Sequence, residues 1–315
     1  MRVSGDIVRE HEWLDYYERF AYFSPSTVRD GCYPRIMLHP SPSTKAVVLV
    51  HGLSDSPYFM KAVGDYFFSC LGYDVYIPLL HCHGLKEPDG MEGVKLEEWK
   101  ANVGFSITAA AARSEVISTG GLSTGGTLSL YMGTVNPKVN GGLFLFSAAL
   151  ELAGGPFGLT GELKELLLRT FLADILDTDK PLIGENPYRY SHIDLDGAAE
   201  LAKLIRETDS IVAGFSKQYP FRKKVFAAHS ESDMTAEISG IEGLRDVSLE
   251  DRFLLFRIPK HLGVAHASVV LEHPIIKDGK MLDNQKIFLN WLHNHYNVVA
   301  NIDIPGEEYA RQGTK

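Results

Sequence analysis

The chain has 315 residues, 45% of them hydrophobic and 23% charged, and carries a formal net charge of −9. That length allows one large α/β domain or two ordinary ones around a substantial core, and the composition is that of a globular protein. The acidic balance, with no Lys/Arg run, argues against the basic patch that a nucleic acid or an anionic membrane surface requires, so no nucleic-acid partner is expected.

Three scattered cysteines, Cys32, Cys70 and Cys82, do not read as a disulfide framework and favour a reducing compartment. Residues 1–10 lack the apolar core and cleavage site of a signal peptide. No apolar run reaches the ~20 residues needed to span a bilayer. A cytoplasmic protein with no integral membrane association is the expectation.

Residues 1–44 combine a short aromatic-rich helix, His11 to Phe20, with Pro- and Ser-containing turns. Ala46-Val47-Val48-Leu49-Val50 is a continuous run suited to a strand buried on both faces of a parallel sheet, and it ends in His51-Gly52-Leu53-Ser54-Asp55-Ser56. A helical stretch, Tyr58 to Cys70, precedes a second strand, Tyr73 to Pro78. The His81-Cys82-His83-Gly84 stretch that follows has no further Cys or His at ligand spacing, so it reads as a loop and not a zinc site.

Residues 92–113 carry helical spacing with Trp99 as a core anchor. Val116 to Thr119 then enters the glycine-bracketed Gly121-Leu122-Ser123-Thr124-Gly125-Gly126, and a helix runs from it to Val135. Gly141 to Ser147 is another buried strand. From 149 to 219 the rhythm changes to Gly/Pro clusters and helical spacing (Leu163, Leu166, Leu167, Leu168, Phe171, then Leu201, Leu204, Ile205, Val212), which reads as a helical cap over a pocket.

Strands resume at Lys223 to Ala228 and Phe253 to Ile258, and Asn284 to Tyr296 has the spacing of a closing helix. Alternating strands and helices imply βαβ units in a parallel, doubly wound sheet. The expected organisation is therefore a core of 1–148 and 220–315, interrupted after the sixth strand by a cap at 149–219.

G-x-S-x-G at a strand-to-helix turn holds a serine hydroxyl over the sheet edge, and no Lys-[Ser/Thr] follows the glycines as a phosphate loop would need. Acyl transfer by serine also needs a base, a carboxylate to fix the base's tautomer, and amides aimed at the oxyanion. Ser123, Asp233 and His266 each fall just beyond the carboxyl end of an expected strand, where open α/β sheets place their sites. Glu231 is an alternative acid and His261 an alternative base, while His51 reads as a support of its own loop.

Val48 to Leu53, the Pro78 to Gly84 loop, Gly121 to Gly126, Ser232-Asp233 and Ala265-His266 resemble the α/β-hydrolase superfamily, and within it bacterial carboxylesterases and monoacylglycerol lipases. The resemblance runs from about Lys45 to Tyr296 and takes in Pro187-Tyr188-Arg189-Tyr190. It implies Ser123 as nucleophile, His266 as general base and then acid, Asp233 orienting His266, and the backbone N–H groups of Leu53 and Thr124 as oxyanion hole, with no metal or organic cofactor.

The chain departs from the pattern at Ser230 and Ala265, where glycine is usual, and at His81-Cys82 in the second loop. The implied activity is hydrolysis of short- to medium-chain acyl esters or monoacylglycerols, with apolar cap residues and Phe157 around the acyl chain. A thioesterase, an amidase, a carbon–carbon bond hydrolase or a non-catalytic receptor on the same scaffold are the alternatives.

Overall fold

The computed structural model describes residues 15–20, 23, 24, 26–86, 91–154, 187–190 and 194–271, together with the backbone of Ile276–Lys277 and Lys280–Met281. The strands are β1 (Arg35–Met37), β2 (Lys45–Val50), β3 (Asp74–Ile77), β4 (Val116–Leu122), β5 (Leu143–Phe146), β6 (Val225–Ser230) and β7 (Phe253–Ile258). They form one sheet in the order β1-β3-β2-β4-β5-β6-β7. Only β1 runs antiparallel to its neighbour.

The helices are α1 (Tyr58–Ser69), α2 (Leu96–Ala111), α3 (Thr124–Val135), α4 (Leu195–Val212) and α5 (Ile238–Asp246). Both faces of β2 are covered, as its unbroken apolar run requires. Ala46, Val48 and Val50 enter a cluster with Trp99, Val103 and Ile107 of α2 and Leu128 of α3. Val47 and Leu49 enter a second cluster with Phe59, Met60, Val63 and Phe67 of α1. This is the doubly wound, mostly parallel sheet of the α/β-hydrolase fold.

β4 lies at the centre of the sheet, paired with β2 (Val50↔Gly121) on one side and β5 (Leu122↔Phe146) on the other. The carboxyl ends of β2, β4, β6 and β7 therefore open onto one rim.

The short strand β1 is absent from the sequence reading because three half-buried residues are too few to display a period. Of the expected N-terminal helix, His11 to Phe20, a helical turn at residues 15–17 is described, and residues 11–14 lie outside the described residues. That turn has a purpose in the packing: the Tyr17 hydroxyl donates to Leu79 O (2.6 Å) and accepts from Leu79 N–H (2.8 Å), fixing the loop after β3.

The segment expected as a cap after a sixth strand follows β5, the fifth of the described strands. Within it, α4 is a core element: it packs on α3 and α2, with Leu201, Leu204 and Ile205 buried in the same cluster as Trp99. Asp194 caps it by accepting from Asp196 N–H (2.8 Å). Phe157, Leu163, Leu166, Leu167, Leu168 and Phe171, and the closing helix from Asn284 to Tyr296, lie outside the described residues. Among the described residues, no helix is long and apolar enough to cross a membrane.

Candidate active site

Ser123 stands between β4 and α3 with φ 53° and ψ −121°, a positive-φ conformation that a residue with a side chain avoids unless its surroundings impose it. Those surroundings are visible. The Ser123 N–H donates to Phe146 O (3.0 Å), and Ser123 O accepts from Thr127 N–H (3.1 Å) and Ala149 N–H (3.2 Å).

The flanking glycines are required by close backbone approach. A Cβ on Gly125 would overlap the carbonyl oxygens of Val50 and His51, and one on Gly121 would overlap Val50 O. On Gly126 it would come within 2.7 Å of the Ala148 Cβ. Thr119 Oγ1 donates to Ser129 O (3.1 Å) and Ser129 Oγ to Gly120 O (2.8 Å), stitching α3 to its strand.

Asp233 and His266, expected together, are together. His266 Nδ1–H donates to Asp233 Oδ2 at 2.6 Å, while Asp233 Oδ1 accepts from the N–H groups of Thr235 (2.8 Å) and Ala236 (3.0 Å). Burial opposes the charge on Asp233, but the His266 charge, its hydrogen bond and the two amides outweigh it and hold the carboxyl below its ordinary pKa. With the proton on Nδ1, Nε2 of His266 keeps its lone pair, and it is buried with no hydrogen-bond partner.

His229, fully buried behind the acid, donates from Nε2 to Ala236 O (3.0 Å) and steadies the turn that supplies those amides. Glu231 instead faces Lys260 N–H (3.2 Å) and Arg257 (3.6 Å), and His261 is exposed, so neither alternative sits with the pair.

The loop after β2 is held from within and by residues of two distant stretches, 80–83 and 189–190. His51 Nε2 accepts from Leu80 N–H (3.2 Å), which leaves Nδ1–H to donate to Gly52 O (2.9 Å). Burial, reinforced by His83, pushes the His51 pKa down to about 3, so the ring is neutral and this tautomer persists. Asp55 N–H also donates to Gly52 O (3.2 Å).

In a planar trans peptide the carbonyl and N–H point in opposite directions, so fixing Gly52 O on one side fixes the Leu53 N–H on the other. Thr124 is the first residue of α3, so its N–H has no acceptor within the helix. Gly52 packs against the serine: a Cβ there would lie 3.4 Å from Ser123 Cβ.

Sequence reasoning foresaw His51 as a support of its loop but missed three others. His83 faces Leu53 O with Nε2 (2.6 Å) and His81 O with Nδ1 (2.9 Å); burial pushes its pKa down to about 4, and the single N–H of the neutral ring donates at the shorter contact, to Leu53 O. The Tyr190 N–H donates to Ser54 O (2.8 Å). Arg189 pairs with Asp55. His83 was legible as a polar residue just past a buried strand; nothing local points Arg189 or Tyr190 at a loop more than a hundred residues earlier.

A mostly parallel sheet carrying a strained serine at a strand-to-helix turn, with a carboxylate–imidazole pair beyond two neighbouring strand ends, defines an α/β-hydrolase-fold protein. No model of a known protein family matches the chain. Over 115 residues, 36% of this chain, it is 33% identical to a thermostable monoacylglycerol lipase of Bacillus sp. (strain H-257), and the match spans 45% of that lipase.

Solved structures extend the likeness to the whole fold. A chain from the metagenome-derived lipolytic enzymes LipS and LipT has a TM-score of 0.64 at 18% identity, over 87% of this chain and 99% of that one. A soluble variant of the monoglyceride lipase of Saccharomyces cerevisiae, bound to a substrate analogue, has a TM-score of 0.61 at 13% identity, over 91% and 99%.

Proposed function

We propose that the chain is a carboxylic ester hydrolase working through an acyl-serine intermediate. The observation that carries this reading is the His266–Asp233 hydrogen bond of 2.6 Å, which parks the proton on Nδ1 and leaves a bare, buried Nε2 to take a proton from Ser123. The developing negative charge on the substrate oxygen would be received by the N–H groups of Leu53 and Thr124. His266 would then protonate the leaving alcohol, and water would repeat the sequence on the acyl-enzyme.

The substrate class we assign is short- to medium-chain acyl esters, including monoacylglycerols. The similarity to a monoacylglycerol lipase and to lipolytic enzymes supports it. The three cysteines are free, which fits the cytoplasm as compartment.

A fluorophosphonate probe should label the wild-type chain, and Ser123→Ala should abolish both labelling and turnover of nitrophenyl esters, by about 10⁴- to 10⁶-fold. Undiminished labelling of Ser123→Ala would mean that another serine reacts. Rates across acyl-chain lengths, with thioesters and amides in parallel, test the substrate class, and a preference for charged or sugar esters refutes it.

A further inference from the structure

Asp55 sits where an ester hydrolase should not tolerate a carboxylate. It is buried, and a Cβ on Gly52 would overlap its Oδ2 while touching Ser123 Cβ at 3.4 Å, so acid and serine flank the same glycine. The substrate oxygen that becomes negative during acyl transfer is received at the Leu53 N–H, one residue further on. A charge buried at such range is poorly screened and acts on the transition state more than on the neutral ester.

Arg189 answers that charge. Its Nε–H and Nη2–H both donate to Asp55 Oδ1, at 3.0 and 2.6 Å, and Ser54 Oγ–H donates to the same oxygen at 3.3 Å. The guanidinium lies over the Phe59 ring, 4.6 Å from its centre, and is itself buried. The Arg189 backbone is anchored too: its carbonyl accepts from Arg29 Nη1–H (2.8 Å), and the next residue, Tyr190, ties to Ser54 O and, through its hydroxyl, to Cys82 O (2.9 Å). The strap 187–190, from the segment between β5 and β6, thus delivers one cation to the loop after β2.

We propose that Arg189 is a positioning residue that cancels the Asp55 carboxylate beside the oxyanion pocket, making that pocket receptive to a developing negative charge only while the strap is seated. The inference rests on the reading of Ser123 as nucleophile and of the Leu53 N–H as oxyanion donor. It differs from a mechanical clamp in what rescues it: neutralising the acid should compensate for losing the base.

The test compares Arg189→Gln, Asp55→Asn and the double variant on a nitrophenyl ester, well below each variant's unfolding temperature. Arg189→Gln should lose about tenfold or more in kcat with KM nearly unchanged, and the double variant should recover to within about threefold of wild type. An Arg189→Gln enzyme with wild-type kcat overturns the proposal, and so does a double variant no faster than Arg189→Gln.

If Arg189→Gln does not fold, Asp55→Asn decides alone: retained kcat supports charge cancellation, and a tenfold loss refutes it. Failure of the parent reading looks different, because a wild-type chain that leaves the probe and every ester untouched removes the nucleophile itself.

Discussion

The turn around Ser123 and the loop around Leu53 face each other across one rim, yet they are built in opposite ways. The turn is dictated by contiguous residues: glycines at 121, 125 and 126 are demanded by backbone oxygens and the Ala148 side chain lying where a Cβ would go. The loop has almost no local prescription. Its Gly52 carbonyl is held by the adjacent His51, but its Leu53 carbonyl and Asp55 carboxylate are held by His83 and Arg189, which come from separate stretches of chain. The geometry of Ser123 is therefore a steric property of a short motif, whereas the geometry of the Leu53 N–H is a property of the assembled fold.

If the turn is steric, the largest effect should come from filling it. Gly125→Val puts a branched side chain into the backbone of β2 and should leave little folded protein, as judged by soluble yield and the loss of a cooperative unfolding transition. A well-folded, active Gly125→Val enzyme would erase the contrast between the two regions.

If the loop is a hydrogen-bonded assembly, removing one support should cost catalysis before it costs the fold. His51→Ala leaves Gly52 O with only the longer bond from Asp55 N–H (3.2 Å) and loosens the orientation of the Leu53 N–H. We expect kcat to fall about 100-fold, approaching the loss of an oxyanion donor, with KM changed far less. Equal losses in binding and turnover would assign His51 to general packing.

The smallest effect is a dependence on acid. His51 and His83 have folded-state pKa values pushed down to about 3 and about 4 by burial, below the ordinary ~6.5 of the unfolded chain. Between those values the unfolded state binds more protons, so stability falls as pH falls from about 6.5 to about 4, by on the order of 3 kcal/mol per histidine. The depressed Asp233 carboxyl adds a further loss at still lower pH, as it becomes protonated. Urea midpoints between pH 7 and 4 should decline less steeply for His51→Asn than for wild type; parallel slopes would remove His51 as a contributor.

The same contrast explains what was legible in the amino-acid sequence. β2, β4 and β5 announce themselves because a strand covered on both faces must be apolar throughout, and the Ser123 turn because glycine is the only residue that fits. Asp233 could be preferred over Glu231 from its distance past β6, and the 2.6 Å contact with His266 agrees. β1 stays hidden because three half-buried residues carry no pattern, and the apolar stripe of α4 does not say which surface it meets. The Asp55–Arg189 pair links positions 134 apart, and no local rule of charge or spacing reaches that far.

The position of β4 also bears on how the chain folds. Its hydrogen-bonded partner β2 is separated from it in sequence by β3 and two helices, so the middle of the sheet cannot close until those crossovers are in place. Parallel pairing of this kind makes assembly slow, and a half-assembled chain bares Val47, Leu49, Phe144 and Phe146 to its neighbours. The protein's vulnerable moment is thus its birth, and soluble yield should depend on expression temperature and chaperone supply more than on the ultimate strength of the native state.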